Sequence, residues 1–159
     1  MPKISAAGSP VADRFALSVL LVEDEFLIRL DLADAFRRAG WTVYEAASGE
    51  EAIHLLHSPI GVGLVLTDVR MPGAVDGTTL AGWVRRERPA VRVAVMSGHY
   101  EPSLQERSLL DAFLTKPVAP ELLVKQLAEL MDGTRLQTQR SSDDGGSQPA
   151  ARDDLGRRR

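Results

Sequence analysis

The chain has 159 residues, 44% of them hydrophobic, and a net charge of −3, which suits one domain of roughly 100–150 residues with polar extensions. It has no cysteine, which excludes a disulfide framework and a thiolate metal site and is compatible with a reducing compartment. No N-terminal stretch resembles the apolar core of a signal peptide, and no run approaches the roughly 18 apolar residues of a membrane span, so a cytoplasmic chain with no membrane partner is expected.

Met1–Ala16 is rich in Ala, Ser, Gly and Pro. It has no periodic apolar pattern and is expected to be disordered, because ordering a residue costs about 1–2 kcal/mol that buried surface must offset. A domain is expected over 17–131. Val19-Leu20-Leu21-Val22 is apolar at consecutive positions, as in a strand covered on both faces of a parallel sheet. Ile28, Leu32, Ala35, Phe36 and Ala39 then form one helical stripe that Gly40 stops. Thr42–Ala46 reads as a second strand. Ser48 and Glu51 have the spacing of a capping box and open a helix through Leu56.

A third strand over Gly63–Thr67 leads to a helix over Thr79–Arg88, closed by Pro89. The strand Val91–Met96 follows, then a short helix near Ser103–Leu110 and the strand Ala112–Leu114. The last helix starts at Pro120, a favourable first-turn residue, and carries Leu123, Leu127 and Leu130 on one side. From Asp132 the chain turns polar; 132–159 holds six Arg and five Asp and is expected to be a second disordered segment. That segment nets +1 and leaves −4 for the rest, which is no footprint for nucleic acid.

Five βα units in succession predict an α/β parallel sheet with right-handed crossovers. Ligands of such sheets sit beyond the carboxyl ends of the strands. Glu23, Asp24 and Glu25 follow the first strand, Asp68 the third, Ser97 and Gly98 the fourth, and Thr115, Lys116 and Pro117 the fifth. Each acid taken singly reads equally well as a helix cap. As a set they bring three carboxylates, a hydroxyl and an ammonium to one crevice. Oxygen ligands of this kind suit Mg²⁺. A carboxylate so placed serves as a nucleophile toward phosphorus, with cations and hydrogen-bond donors around the equatorial oxygens.

The blocks Leu20–Glu25, Leu66–Pro72, Val95–Gly98 and Leu114–Pro117 resemble the signature segments of response-regulator receiver domains of two-component systems. The resemblance runs from about Ala16 to Met131. It implies a doubly wound, five-stranded parallel sheet in the flavodoxin-like order 2-1-3-4-5, and a phosphorylation switch rather than an enzyme. It implies Asp68 as phosphoacceptor, Mg²⁺ held by Glu23, Asp24, Asp68 and the backbone carbonyl of Arg70, and Lys116 against the phosphoryl oxygens. Ser97 and the amide of Gly98 are expected to bond the phosphate, Phe113 to move as the switch aromatic, and Lys116–Pro117 to be cis. The implied partners are a histidine kinase or histidine phosphotransfer protein and a downstream protein target, with the chain a monomer or weak dimer.

The sequence departs from the family in two places. Met71–Gly77 looks about one residue longer than usual, and the stretch from Ser97 to Phe113 some three residues shorter, so the fourth helix is expected to be short or displaced. Arg70 and His99, each two residues past a site residue, are expected to flank the path of attacking water and to modulate the lifetime of the phosphorylated state. His54 and His57 share a helix face, but no third ligand is evident beside them. A dehalogenase-like phosphatase needs an acid where Arg70 stands, and a flavin binder needs a phosphate cradle where Glu23-Asp24-Glu25 stands. A transcription factor needs an output domain that about 28 residues from Asp132 do not form.

Overall fold

The structure is a computed structural model that describes residues 17–133. Both segments expected to be disordered lie outside these residues, apart from Asp132 and Gly133, whose amides bond back to Ala128 and Leu130 and close the last helix. The elements alternate as β1 (Ser18–Val22), α1 (Phe26–Arg38), β2 (Thr42–Ala46), α2 (Gly49–His57), β3 (Leu64–Asp68), α3 (Gly77–Glu87), β4 (Arg92–Ser97), α4 (Leu104–Arg107), β5 (Ala112–Thr115) and α5 (Pro120–Met131). The five strands form one parallel sheet in the order β2-β1-β3-β4-β5, the expected arrangement.

Successive residues of a strand point to opposite faces, and the core divides accordingly. Val19 and Leu21 of β1 join one cluster with Leu32 and Phe36 of α1 and Leu123 and Leu127 of α5. Leu20 and Val22 join the other, with Ala52 and Leu56 of α2 and Leu80 and Val84 of α3. Because both faces are covered, the whole of β1 is buried, which accounts for its unbroken apolar run. Phe36 and Trp41 meet edge to face at 5.1 Å where α1 returns into β2, and Gly40 between them takes φ +86. Ala39, expected on the buried stripe, is exposed because the helix has already ended at Arg38 and Ala39 serves as its C-cap.

Three strands run one residue further than expected: β3 to Asp68, β4 to Ser97 and β5 to Thr115. Asp68 pairs with Met96 and Ser97 with Thr115, so the acid and the hydroxyl stand on the sheet itself rather than in the loops beyond it. α3 begins at Gly77, two residues early, because Asp76 accepts a bond from the Thr79 amide at 2.8 Å and caps it. The fourth helix contracts to Leu104–Arg107, with Ser103 and Glu106 forming a reciprocal capping box. In α2, Ser48 accepts from the Glu51 amide, but the Glu51 carboxylate returns to the amide of Ala47 rather than that of Ser48. The Lys116–Pro117 peptide is cis.

Candidate functional site

Two neighbouring strands deliver the three acidic residues. Glu23 and Asp24 leave β1, and Asp68 ends β3. One carboxylate oxygen from each lies within 4.8 Å of the others, the only such group of potential metal ligands among the described residues. Glu23 is 1% exposed; its carbonyl accepts from Arg29 at 2.6 Å and its carboxylate from the Glu25 amide at 3.2 Å, so the turn into α1 fixes it. Asp68 accepts from the amide of Val69 at 2.8 Å. Asp24 is exposed.

Lys116 enters from the end of β5. Its amide bonds to the Ser97 carbonyl at 2.8 Å, and its Nζ lies 3.0 Å from Glu23 Oε2 and 3.4 Å from Asp68 Oδ2. Burial pushes the Glu23 carboxyl above its ordinary pKa against the pull of Lys116. For Lys116, burial opposes the charge, but the bond to Glu23 and the field of both carboxylates outweigh it and raise the ammonium's pKa. Three carboxylates against one ammonium leave an excess of two negative charges, and all the donors are hard oxygens. This set fits a small divalent cation such as Mg²⁺.

Asp68, Arg70, Ser97, Gly98, His99 and Lys116 line an open cavity of about 240 Å³. The structure thus brings together every residue expected to meet a phosphoryl group. Arg70 and His99, read as its flanks, stand on the rim and are exposed. Phe113, expected as the switch aromatic, is half-buried on the face of the sheet opposite α1 and α5. The guanidinium of Arg107 lies 5.5 Å from the centre of its ring. His54 and His57 stay on the surface of α2, where His57 Nδ1 lies 2.9 Å from the Ile53 carbonyl oxygen and its ring meets Trp83.

Sequence reasoning missed three residues around the cavity. Tyr100 donates its amide to the Ser97 hydroxyl at 3.0 Å and its own hydroxyl to Glu106 in the cap of α4. Glu50, in the first turn of α2, accepts from the amides of Ala74 and Val75 in the loop that follows Asp68. Gly77 lies against the Asp68 carbonyl. Apart from the Tyr100 hydroxyl, their contacts involve a backbone group on one side, whose partner no residue pattern reveals. The apparent extra residue of Met71–Gly77 reads from the sequence as a tolerated surface insertion, whereas the structure holds Ala74 and Val75 of that loop on Glu50.

Residues 19–128 match the family described as the response regulator receiver domain. Among curated proteins, the chain is 36% identical over 119 residues to sensor kinase CckA of Brucella abortus, covering 72% of this chain and 12% of the kinase. It is 37% identical over 125 residues to transcriptional regulatory protein PdtaR of Mycobacterium tuberculosis, covering 70% of this chain and 58% of that protein. The chain therefore spans about an eighth of the one relative and less than two thirds of the other. Among solved structures, response regulator TrrA of Thermotoga maritima, in complex with Mg²⁺ and BeF, is 27% identical with a TM-score of 0.65, covering 72% of this chain and 98% of that one. A receiver protein of Sinorhizobium medicae is 28% identical with a TM-score of 0.65, covering 74% and 96%.

Proposed function

The chain belongs to the response regulator receiver domain family of two-component signalling, and from that premise we propose that Asp68 is its phosphoacceptor and that Glu23, Asp24, Asp68 and the Arg70 carbonyl hold Mg²⁺. The observation that carries this reading is the convergence of three carboxylates within 4.8 Å, with Lys116 3.4 Å from Asp68, at the carboxyl end of the sheet. Bound there, the cation neutralises the carboxylates and draws charge from the phosphoryl oxygens.

The chain's own residues do the rest. An Asp68 carboxylate oxygen attacks phosphorus; the new O–P bond forms as the donor's N–P bond breaks, and the electron pair leaves with the imidazole nitrogen. The Lys116 ammonium is held beside Asp68 and takes a phosphoryl oxygen. Ser97, the last residue of the next strand, and the Gly98 amide just beyond it donate to the others, and Phe113 follows the movement of Ser97. The donor is a histidine kinase or a histidine phosphotransfer protein. Phe26, Leu27 and Leu30 lie exposed at the start of α1, directly after the acidic residues, and form its docking face. The product state presents an altered surface to a downstream protein; the chain works in the cytoplasm, as a monomer or weak dimer, as a switch that assists its own phosphorylation and hydrolysis.

Incubation with acetyl phosphate and MgCl₂ should add one phosphate, seen by intact mass, and Asp68→Asn should remove the labelling. Equal labelling of Asp68→Asn overturns the assignment.

A further inference from the structure

The loop between β3 and α3 carries Arg70 and is one residue longer than the family pattern leads one to expect. Its base is closed by the Gly77 amide, which donates to the Val69 carbonyl at 2.9 Å. Its far end lies on α2. Glu50 Oε1 accepts from the Ala74 amide at 2.7 Å and from the Val75 amide at 3.3 Å. The contact is close enough to demand glycine on both sides. A Cβ on Gly49 would stand 2.3 Å from the Val75 carbonyl oxygen, and one on Gly73, whose φ is +110, would stand 2.8 Å from Glu50 Oε1. Between the base and this anchor lie Arg70 and the buried Met71.

We propose that Glu50 is a positioning residue for the phosphorylation site: a carboxylate on α2 that ties down the lengthened β3–α3 loop and so fixes the segment whose Arg70 carbonyl completes the metal's ligands. The lengthened loop has more conformations to lose than a shorter one. Two charge-assisted bonds to successive amides remove that freedom at the tip, where the loop has no secondary structure of its own. The inference rests on the metal reading given above. It adds that the affinity of the site is set partly by a residue that touches neither metal nor phosphate, an outer partner of the kind whose loss weakens a metal site by roughly tenfold or more.

Calorimetric titration of the full chain with MgCl₂, and labelling by acetyl phosphate over a range of Mg²⁺, test it. Glu50→Ala should weaken Mg²⁺ binding by roughly tenfold, slow labelling at low Mg²⁺, and restore the parent rate at saturating Mg²⁺. Glu50→Gln keeps an oxygen acceptor without the charge and should retain most of the affinity. Gly73→Ala, which crowds the carboxylate from the loop side, should reproduce the Glu50→Ala defect without touching α2. Parent affinity in a folded Glu50→Ala protein overturns the proposal, and so does a Gln variant as weak as Ala, which would make the effect one of charge alone. Asp24→Ala separates the two levels: if it binds Mg²⁺ like the parent, the metal reading itself falls, whatever Glu50 does.

Discussion

Gly77 stands where the first turn of α3 crosses β3, and a Cβ there would lie 2.0 Å from the Asp68 carbonyl oxygen. Backbone rather than a flexible side chain is in the way. Gly77→Ala should therefore cost about 1–3 kcal/mol in urea unfolding, whereas Gly98→Ala, with nothing within 4 Å of the added Cβ, should stay within about 0.5 kcal/mol of the parent. Next to it, partial burial opposes the charge of Asp76, but bonds from Thr79 and Thr78 outweigh it and hold its pKa below the ordinary carboxylate value. A depressed pKa contributes stability above the unfolded value of about 3.9 and loses it as pH falls through the folded one. Asp76→Ala should thus cost about 1 kcal/mol at pH 7, with the gap to the parent closing below about pH 4. On the rim of the cavity Arg70 is long and always charged, able to bond a phosphoryl oxygen and to crowd incoming water. Phosphorylated Arg70→Asn should decay faster than the parent at saturating Mg²⁺; slower decay would mean that Arg70 assists the water. Asp68, Lys116 and Ser97 were legible because their chemistry is carried by the side chain and their place by the end of a strand. Glu50 and Tyr100 were not: Glu50 serves the amides of Ala74 and Val75 far along the chain, and Tyr100 reaches Ser97 through its own backbone amide, which no side-chain pattern records.

The contracted α4 shows what an element loses when its sequence is cut short. Four helical residues close too few intrahelical bonds to stand alone, and no residue of α4 is buried. Its order comes from outside. Glu106 receives the Ser103 amide at 2.8 Å and the Tyr100 hydroxyl, while Arg107 donates to the Pro102 carbonyl and lies over Phe113. Following it, Asp111 gathers Arg85, Arg92 and the Val93 amide at the start of β5. Ser97 and Phe113, the two parts proposed to move, are thus both tied to α4. Glu106→Ala should raise amide exchange through 103–110 by NMR while the exchange of β1 and β3 stays that of the parent; an unchanged 103–110 would mean that Tyr100 and the cap carry no order. Lengths and periods predicted every element, yet the ends of α2, β3, β4, α3, α4 and β5 moved by one to three residues. Those ends are set by cross-strand pairing and by caps such as Asp76 and Ser103, neither of which a hydrophobic period records.

At the scale of the whole molecule, the α/β class could be read from five alternations of apolar run and amphipathic stretch, but the order β2-β1-β3-β4-β5 came only with the family resemblance. Nothing in the period of β1 says which strand lies beside it. What holds the sheet is the pair of clusters on its two faces, and large losses belong there: Phe36→Ala, fully buried against Trp41, should cost about 3–5 kcal/mol. The acidic site lies at the end of the strands, and within it Lys116 already pairs with two of the three carboxylates. A ligand present at its own dissociation constant adds only about 0.4 kcal/mol to folding. Chelation with EDTA should accordingly lower the melting temperature by no more than about 3 °C; a larger fall would place the metal among the supports of the fold. That division between clusters and site has a bearing on the life of the protein in the cell. Degradation samples the unfolded fraction, and the two clusters on the faces of the sheet set most of that fraction. On the function proposed above, loading or unloading the site should leave turnover nearly constant, so that a signal would be written in how many molecules are charged and not in how many survive.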